Sequence, residues 1–314
     1  MDLRQLRYFQ VLATQENFGR AAEILRIAQP ALSRQIRLLE EELGVTLFER
    51  HARGANLTAE ASMLLERVTF LLRYVEQTKL DLASSSAIPR GPVALGLPPG
   101  LSPLLVAPLL RRLRERYPEI YLKIIETFQP VLHDRLTHGL VDLAIVNGPI
   151  SSPDLEAIPL FSDAICAIVP FDETRIGGQR VDLRLLDGVP LVLTGVQKSG
   201  IRLELETAAA RANVTLCPVV EVETVAVAKL LVRDGVGWTV HFAAAVRDEV
   251  DAHLLRAVLR LHRYVAWAVG RPRSRAVRAL AELLRELVRE SVGAGIWPNT
   301  ELALPQRASR DTSA

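Results

Sequence analysis

Residues 28–44 read AQPALSRQIRLLEEELG, and this segment limits what the chain can become more than any other. Leu32, Ile36, Leu39 and Leu43 recur at helical spacing and make one apolar stripe. Ser33, Arg34 and Arg37 fall on the opposite side, with Gln29 at its upper edge. Pro30 suits the first helical position, where a missing N–H costs nothing, and Gln29 before it is a poor helix cap. A long amide held there in place of Ser or Asp points to a task other than capping. From Ile24 to Leu39 the chain carries three arginines and no acid, and Glu40, Glu41 and Glu42 follow at once. A helix basic in its first half and acidic in its second suits insertion into a DNA groove N-terminus first. Its far end is then turned away from the phosphates.

The neighbouring residues extend this pattern. Residues 3–15 read as a helix with Leu3, Leu6, Phe9, Leu12 and Ala13 inward. Asn17 caps a second helix over 18–25, where Ala21 and Ala22 permit a close crossing, and a short turn at 26–28 leads to the third. That is the helix-turn-helix arrangement. After the helix stop at Gly44, VTLFERHARGANLT gives two short β-like pieces around Arg53 and Gly54, and Arg50 and His51 make the tip more basic. Such a wing reaches phosphates or a minor groove. Taken alone, Arg34 and Arg37 would be an ordinary solvated helix face, and Arg50 could pair with Glu49 or Glu42. The charge segregation and the wing together favour contact with DNA.

Residues 1–62 resemble the DNA-binding domain of the LysR-type transcriptional regulators, without a gap, from LRQLRYFQVLATQENFGRAAEILRIAQPALSRQIRLLEEELG through the wing to ANLT. By position, the resemblance implies base and phosphate contacts from Gln29, Pro30, Ser33, Arg34 and Arg37 on the helix and from Arg50 and Arg53 on the wing. Two positions depart from the family pattern. Gly19 replaces a usual Ser or Thr, removing a hydroxyl expected to meet a phosphate, and Ala61 replaces a usual Gly, which stiffens the helix after the wing.

Thr58 can cap a long helix over 59–83, in which Leu64, Val68, Leu71, Val75, Thr78 and Leu82 alternate spacings of four and three. The seam either packs on its own domain or pairs two chains. Pairing is the expectation, because two modules can place recognition helices about one DNA turn apart, and the resemblance implies a dimerising linker helix there. Ser84, Ser85, Ser86, Pro89, Gly91 and Pro92 then make a hinge.

From residue 91 strand-like and helix-like segments alternate: VALGL, a helix from Ser102, KIIE, a helix over 131–138, VDLAIV, AICAIV, PLVLT, a helix over 201–212, PVVEV, a helix over 224–233, GWTV, YVAWAV and a helix over 274–291. Alternation of this kind predicts an α/β fold with mostly parallel sheets. The length suits two lobes around a cleft, as in periplasmic solute-binding proteins, and the family implies the same regulatory domain. The expected layout is a winged helix-turn-helix at 1–58, a linker helix and hinge at 59–90, and a regulatory domain at 91–292. Lobe I would take 91–162 and 268–292, lobe II 163–267. Residues 293–314 carry Pro, Asn, Thr and Ser without period and read as a disordered tail. The expected fold class is thus an N-terminal all-α winged helix-turn-helix plus an α/β two-lobed, periplasmic-binding-protein-like domain.

Ligands in such folds sit beyond the C-terminal ends of strands, where helix N-termini point. Ser102, Thr127, Thr194 and Ser199 occupy such places and are the effector-contact candidates, although each can also be a plain helix cap. The family resemblance also points to Ser102 and Thr127. His241 and Phe242 read as a packed core pair that could also wall the cleft. Converging helix N-termini favour an anion, so the expected effector is a small carboxylate.

Enzyme signals fail. No G-x-S-x-G or P-loop occurs; Gly235, Val236 and Gly237 precede a strand rather than a helix; His133 and His138 are five apart, which splays them on a helix. No catalytic residue, metal or cofactor is expected beyond the effector. Cys166 and Cys217 lie far apart in apolar runs and read as thiols of a reducing compartment. The net charge of +2 gives no global field for nucleic acid, so DNA binding rests on local patches. Without a signal peptide or membrane span, the expectation is a cytoplasmic, sequence-specific transcriptional regulator. Its expected partners are double-stranded DNA, a small effector, further copies of itself as homodimer or homotetramer, and RNA polymerase, with no membrane. The alternative is a solute-binding protein built on the same two lobes.

Overall fold

The computed structural model describes residues 1–51, 54–83, 88–148, 150, 152–170, 173, 180–195, 200–242, 251–255, 260–297 and 300–303. They form two compact units, one of Met1–Ile88 with His138–Leu140, the other of the remaining residues.

In the first unit, α1 (Leu3–Gln15), α2 (Phe18–Leu25) and α3 (Gln29–Leu43) precede a hairpin, β1 (Phe48–His51) with β2 (Gly54–Leu57), and α4 (Ala59–Ala83). Asp2 and Gln5 cap α1 reciprocally, each side chain accepting the other's backbone N–H, and the Asn17 amide oxygen accepts the Arg20 N–H of α2. The core gathers Leu12, Leu32, Ile36 and Leu39 around Phe48, whose ring lies 5.7 Å from Phe9 and 6.0 Å from Phe18. Helix α3 starts one residue earlier than its sequence suggests. Ala28 is the cap and Pro30 the second helical residue, while Leu43, at the end of the stripe, is 36% exposed rather than buried.

The expected seam of α4 divides. Val68 is buried and Leu64 half-buried against the unit's own core, with Leu72 beside them, and Gln10–Thr69 and Arg7–Glu76 bonds of 3.1 and 2.9 Å tie α4 to α1. Leu71 and Leu82 remain exposed, together with Tyr74 off the seam. Leu71, Thr78 and Leu82 are the seam positions left open to another chain.

The second unit contains β3 (Gly91–Leu97), α5 (Ser102–Arg116), β4 (Ile120–Glu126), α6 (Gln129–Thr137), β5 (Leu143–Asn147) and β6 (Leu155–Val169). After β7 (Arg180–Val181) come a 3-10 turn (Leu183–Leu186), β8 (Pro190–Thr194), α7 (Gly200–Ala212), β9 (Cys217–Val222) and α8 (Val225–Arg233). Then follow β10 (Thr239–Phe242), β11 (Asp251–Leu255), β12 (Arg260–Ala268), α9 (Arg275–Gly293) and β13 (Thr300–Leu302). Among the described residues β6 runs through both lobes. The first part of β6 pairs antiparallel with β12 as far as Ala164 opposite Arg260; from Ile165 onward it pairs with β10 and β11. On the first side β4, β3 and β5 are parallel, and α5 and α9 cover a core around Leu95, Leu105, Phe161 and Leu284. On the second, β8 and β9 are parallel, and Leu191, Leu205 and Trp238 belong to a separate core.

Three expectations change. The sheets are mixed rather than mostly parallel, because β6 pairs antiparallel with β10, β11, β12 and β13, and β12 pairs antiparallel with β5. Residues 263–267 belong with lobe I, not lobe II, since there β12 lies between β5 and the first part of β6, while Leu261 at its start packs in the lobe II core. The segment after residue 292 is not a structureless tail throughout. Trp297 is buried with its ring 5.3 Å from Phe161, and β13 pairs with β6; residues 304–314 lie outside the described residues.

Candidate nucleic-acid interface and ligand cleft

Because Leu32, Ile36 and Leu39 anchor α3 in the core, the opposite side must face solvent. Gln29, Pro30, Arg34 and Arg37 are exposed and Ser33 is half-buried. Arg34 and Arg37 form no ion pair among the described residues, and no side chain caps the helix start. The acidic half does structural work instead. Glu40 Oε1 accepts the N–H groups of Leu47 at 2.7 Å and Phe48 at 3.2 Å, fixing the start of the wing. The other end of the wing hangs on α1, where Ala55 N–H donates to the Glu16 carbonyl at 2.8 Å. Arg50 stands in β1 opposite Ala55, but its side chain and the whole of Arg53 lie outside the described residues.

Gly54 permits the docking of the wing on α1. A Cβ there would lie 2.5 Å from the Glu16 carbonyl oxygen, a backbone atom that cannot step aside. Gly54→Ala is therefore expected to cost about 1–3 kcal/mol in denaturant unfolding and to weaken DNA binding by displacing the wing. Gly19→Ala, whose Cβ would meet side-chain oxygens alone, of Asn17 at 3.3 Å and of Gln29 at 3.9 Å, is expected to cost far less.

In the second unit a narrow cleft, with a cavity volume of about 50 Å³ and a mouth open to solvent, lies between the two lobes. Gln129 at the start of α6, Gly200 at the start of α7 and Val225 at the start of α8 line it, so three helix N-termini face one space. Thr194 also lines it. Ser102 and Thr127 are not among the described residues that line it. The Ser102 hydroxyl donates to the Glu126 carboxylate, and the Thr127 N–H donates to the Leu97 carbonyl at 3.0 Å. Ser199 lies outside the described residues.

Three residues that sequence reasoning passed over, or set down as core, dominate the cleft. Arg263 is 2% exposed; its Nε donates to Asp163 at 3.1 Å, one terminal nitrogen donates to Asn147, and Nη2 has no hydrogen-bond partner among the described residues. Burial lowers its pKa against the pull of Asp163, yet a guanidinium stays a cation in a protein. Arg202 donates to Glu206 at 2.7 Å and Glu221 at 2.8 Å, and its buried Nη1 likewise lacks a partner among the described residues. His241 is walled in by Phe242, with ring centroids 4.3 Å apart, and by the turn at Gly100, where a Cβ would lie 2.8 Å from the imidazole. Burial, helped by the nearby Arg263 charge, pushes its pKa down to about 3, so the ring is neutral near pH 7. Its Nδ1 is also unpartnered among the described residues. A signal for Arg263 was present, since strand alternation puts it on one face with Leu261 and Val265, both buried.

Comparisons with known proteins identify the two domains that carry these features. Residues 3–62 match the family profile described as "Bacterial regulatory helix-turn-helix protein, lysR family", and residues 86–289 match "LysR substrate binding domain". The HTH-type transcriptional regulator BbuR of Bordetella bronchiseptica is 28% identical over 95% of this chain and 93% of its own. The nitrogen assimilation regulatory protein nac of Escherichia coli is 30% identical over 79% of this chain and 80% of its own. Among solved structures, a full-length OxyR variant from Pseudomonas aeruginosa is similar with a TM-score of 0.68 and 26% identity, covering 92% of this chain and 95% of that one. CbnR in complex with its target DNA shares the fold, with a TM-score of 0.69 at 21% identity over 93% of this chain and 100% of its own. These relatives are transcriptional regulators, not solute-binding proteins. Among the described residues no helix is long and apolar enough to cross a membrane. The chain belongs to the LysR family of transcriptional regulators, a DNA-binding helix-turn-helix joined to an effector-binding domain.

Proposed function

We propose that this regulator reads DNA with the N-terminal half of α3 and the wing and answers to a small carboxylate held in the cleft. In this reading Arg34, Gln29 and Ser33 meet base edges with Pro30 packed beside them, while Arg37, Arg50 and Arg53 meet the phosphate backbone. The protein acts in the cytoplasm as a dimer or a dimer of dimers, joined through the exposed seam positions of α4, and engages RNA polymerase from the promoter. It needs no catalytic group, metal or further cofactor.

The observation that carries the effector reading is the set of unpartnered buried atoms, Arg263 Nη2, Arg202 Nη1 and His241 Nδ1, on residues that line one cavity. Such atoms are costly unless a ligand or water completes them. Three helix N-termini and the remaining guanidinium N–H groups of Arg263 and Arg202, whose other nitrogens are paired with carboxylates, favour an anion, and Thr194 adds a hydroxyl. Regulation is then a population shift between lobe arrangements. It requires the ligand to bind the two arrangements unequally, because equal affinity shifts nothing however tight.

A thermal-shift series on the full chain tests this. Acetate, succinate and benzoate are expected to include at least one that raises Tm at millimolar concentration. Neutral sugars and organic cations are expected to leave it unchanged, and stabilisation by those compounds alone would refute the anion site.

A further inference from the structure

The residues that hold Arg263 continue past the cleft into the C-terminal segment. Strand β13 lies along β6 where that strand leaves one lobe for the other, with Thr300 opposite Asp163, Glu301 opposite Ser162 and Leu302 opposite Phe161. The Thr300 hydroxyl donates to Asp163 Oδ1 at 2.9 Å, while Asp163 Oδ2 accepts from Arg263 Nε at 3.1 Å. One carboxylate is therefore shared between the C-terminal segment and the cleft cation. Beside it Glu301 pairs with Arg260 at 3.0 Å, and Arg260 in turn donates to the Ser162 hydroxyl at 3.1 Å. Trp297, buried against Phe161, anchors the approach to this strand.

We propose that Thr300 is a positioning residue for the effector site: β13 clasps the interlobe strand, fixes the Asp163 carboxylate, and so holds the Arg263 guanidinium with Nη2 left for the ligand. The proposal rests on the cleft being an anion site. Burial already pushes the Asp163 pKa up, with Arg263 and Thr300 opposing that effect. Loss of the hydroxyl leaves the carboxylate under-solvated and free to turn, and Arg263 turns with it. The C-terminal segment thereby acts on effector affinity without touching the effector.

The test uses full-length Thr300→Val and Thr300→Ser. Valine keeps the shape and strand preference but donates nothing; serine restores the donor. Two measurements are made. The first is the half-saturating concentration of the carboxylate probes, acetate, succinate and benzoate, by thermal shift. The second is the rate at which phenylglyoxal modifies Arg263 in the ligand-free protein, read by peptide mass spectrometry, with Arg202 as internal control. Thr300→Val is expected to weaken carboxylate binding about three- to tenfold. It should also speed modification of Arg263 several-fold with Arg202 unchanged, and Thr300→Ser should match the parent in both. Unchanged Arg263 reactivity in Thr300→Val overturns the proposal, as does equal acceleration at Arg202, which would mark general loosening. If the parent binds none of the probes but Arg263 reactivity responds as stated, the clasp stands and the anion reading of the cleft falls.

Discussion

Arg263→Met is expected to destabilise the protein by about 3–5 kcal/mol and to abolish carboxylate-induced stabilisation. The first effect follows from Asp163. Its side chain is 3% exposed and its cationic partner sits at 3.1 Å, so methionine leaves a buried carboxylate facing an apolar sulfur. The Thr300 hydroxyl would still serve it, but a single neutral donor does not replace a cation. The second effect follows from the loss of Nη2 in the cleft. A double substitution separates them. Replacing the whole pair, as Asp163→Leu with Arg263→Met, removes the stranded charge and is expected to recover most of the lost stability, since buried ion pairs are often no better than well-packed apolar side chains. Carboxylate-induced stabilisation should remain absent. A double variant that regains stability and still responds to the carboxylates would take Arg263 out of the ligand site.

Arg34→Ala is expected to leave folding stability within about 0.5 kcal/mol of the parent, because the side chain is exposed and carries no ion pair among the described residues. DNA binding should weaken by about 1–3 kcal/mol, or roughly 5- to 150-fold, with relaxed preference at one base position per half-site. Arg53→Ala, at the wing tip, is expected to behave differently. It should weaken binding evenly across sequences and reduce the salt slope by about one, as loss of a phosphate contact does. Quantitative footprinting at several salt concentrations measures both. Unchanged affinity in each variant would remove α3 and the wing from the interface.

The first unit was legible because each element there is set by its own residues. Leu32, Ile36 and Leu39 give α3 its buried side at regular helical spacing, and Asp2 and Asn17 act as local caps. The parts that escaped depend on distant partners. Residues 155–163, with Pro159 and Asp163 and no clean alternation, become a strand only because β12, far along the chain, runs beside them. The polar segment after α9 lacks period, yet one tryptophan and a short ladder hold it on β6. For the same reason the cleft was only half read. Thr194 follows from its place at a strand end, whereas Arg202 and Arg263 are charged residues inside otherwise apolar faces whose meaning emerges once Glu206, Glu221 and Asp163 surround them. The linker seam was ambiguous because heptad spacing is the same for a helix packed on α1 and one packed on another chain; Val68 takes the first role and Leu71 is exposed for the second.

Dimethyl sulfate protection on the bound operator tests the groove assignment most directly, because the reagent reads guanine N7 in the major groove and adenine N3 in the minor groove. Protected guanine N7 positions are expected in two patches about one helical turn apart, or a multiple of it, with one position per half-site exposed again in Arg34→Ala. Protection confined to adenine N3, or a guanine pattern identical in the parent and Arg34→Ala, would contradict insertion of α3 into the major groove.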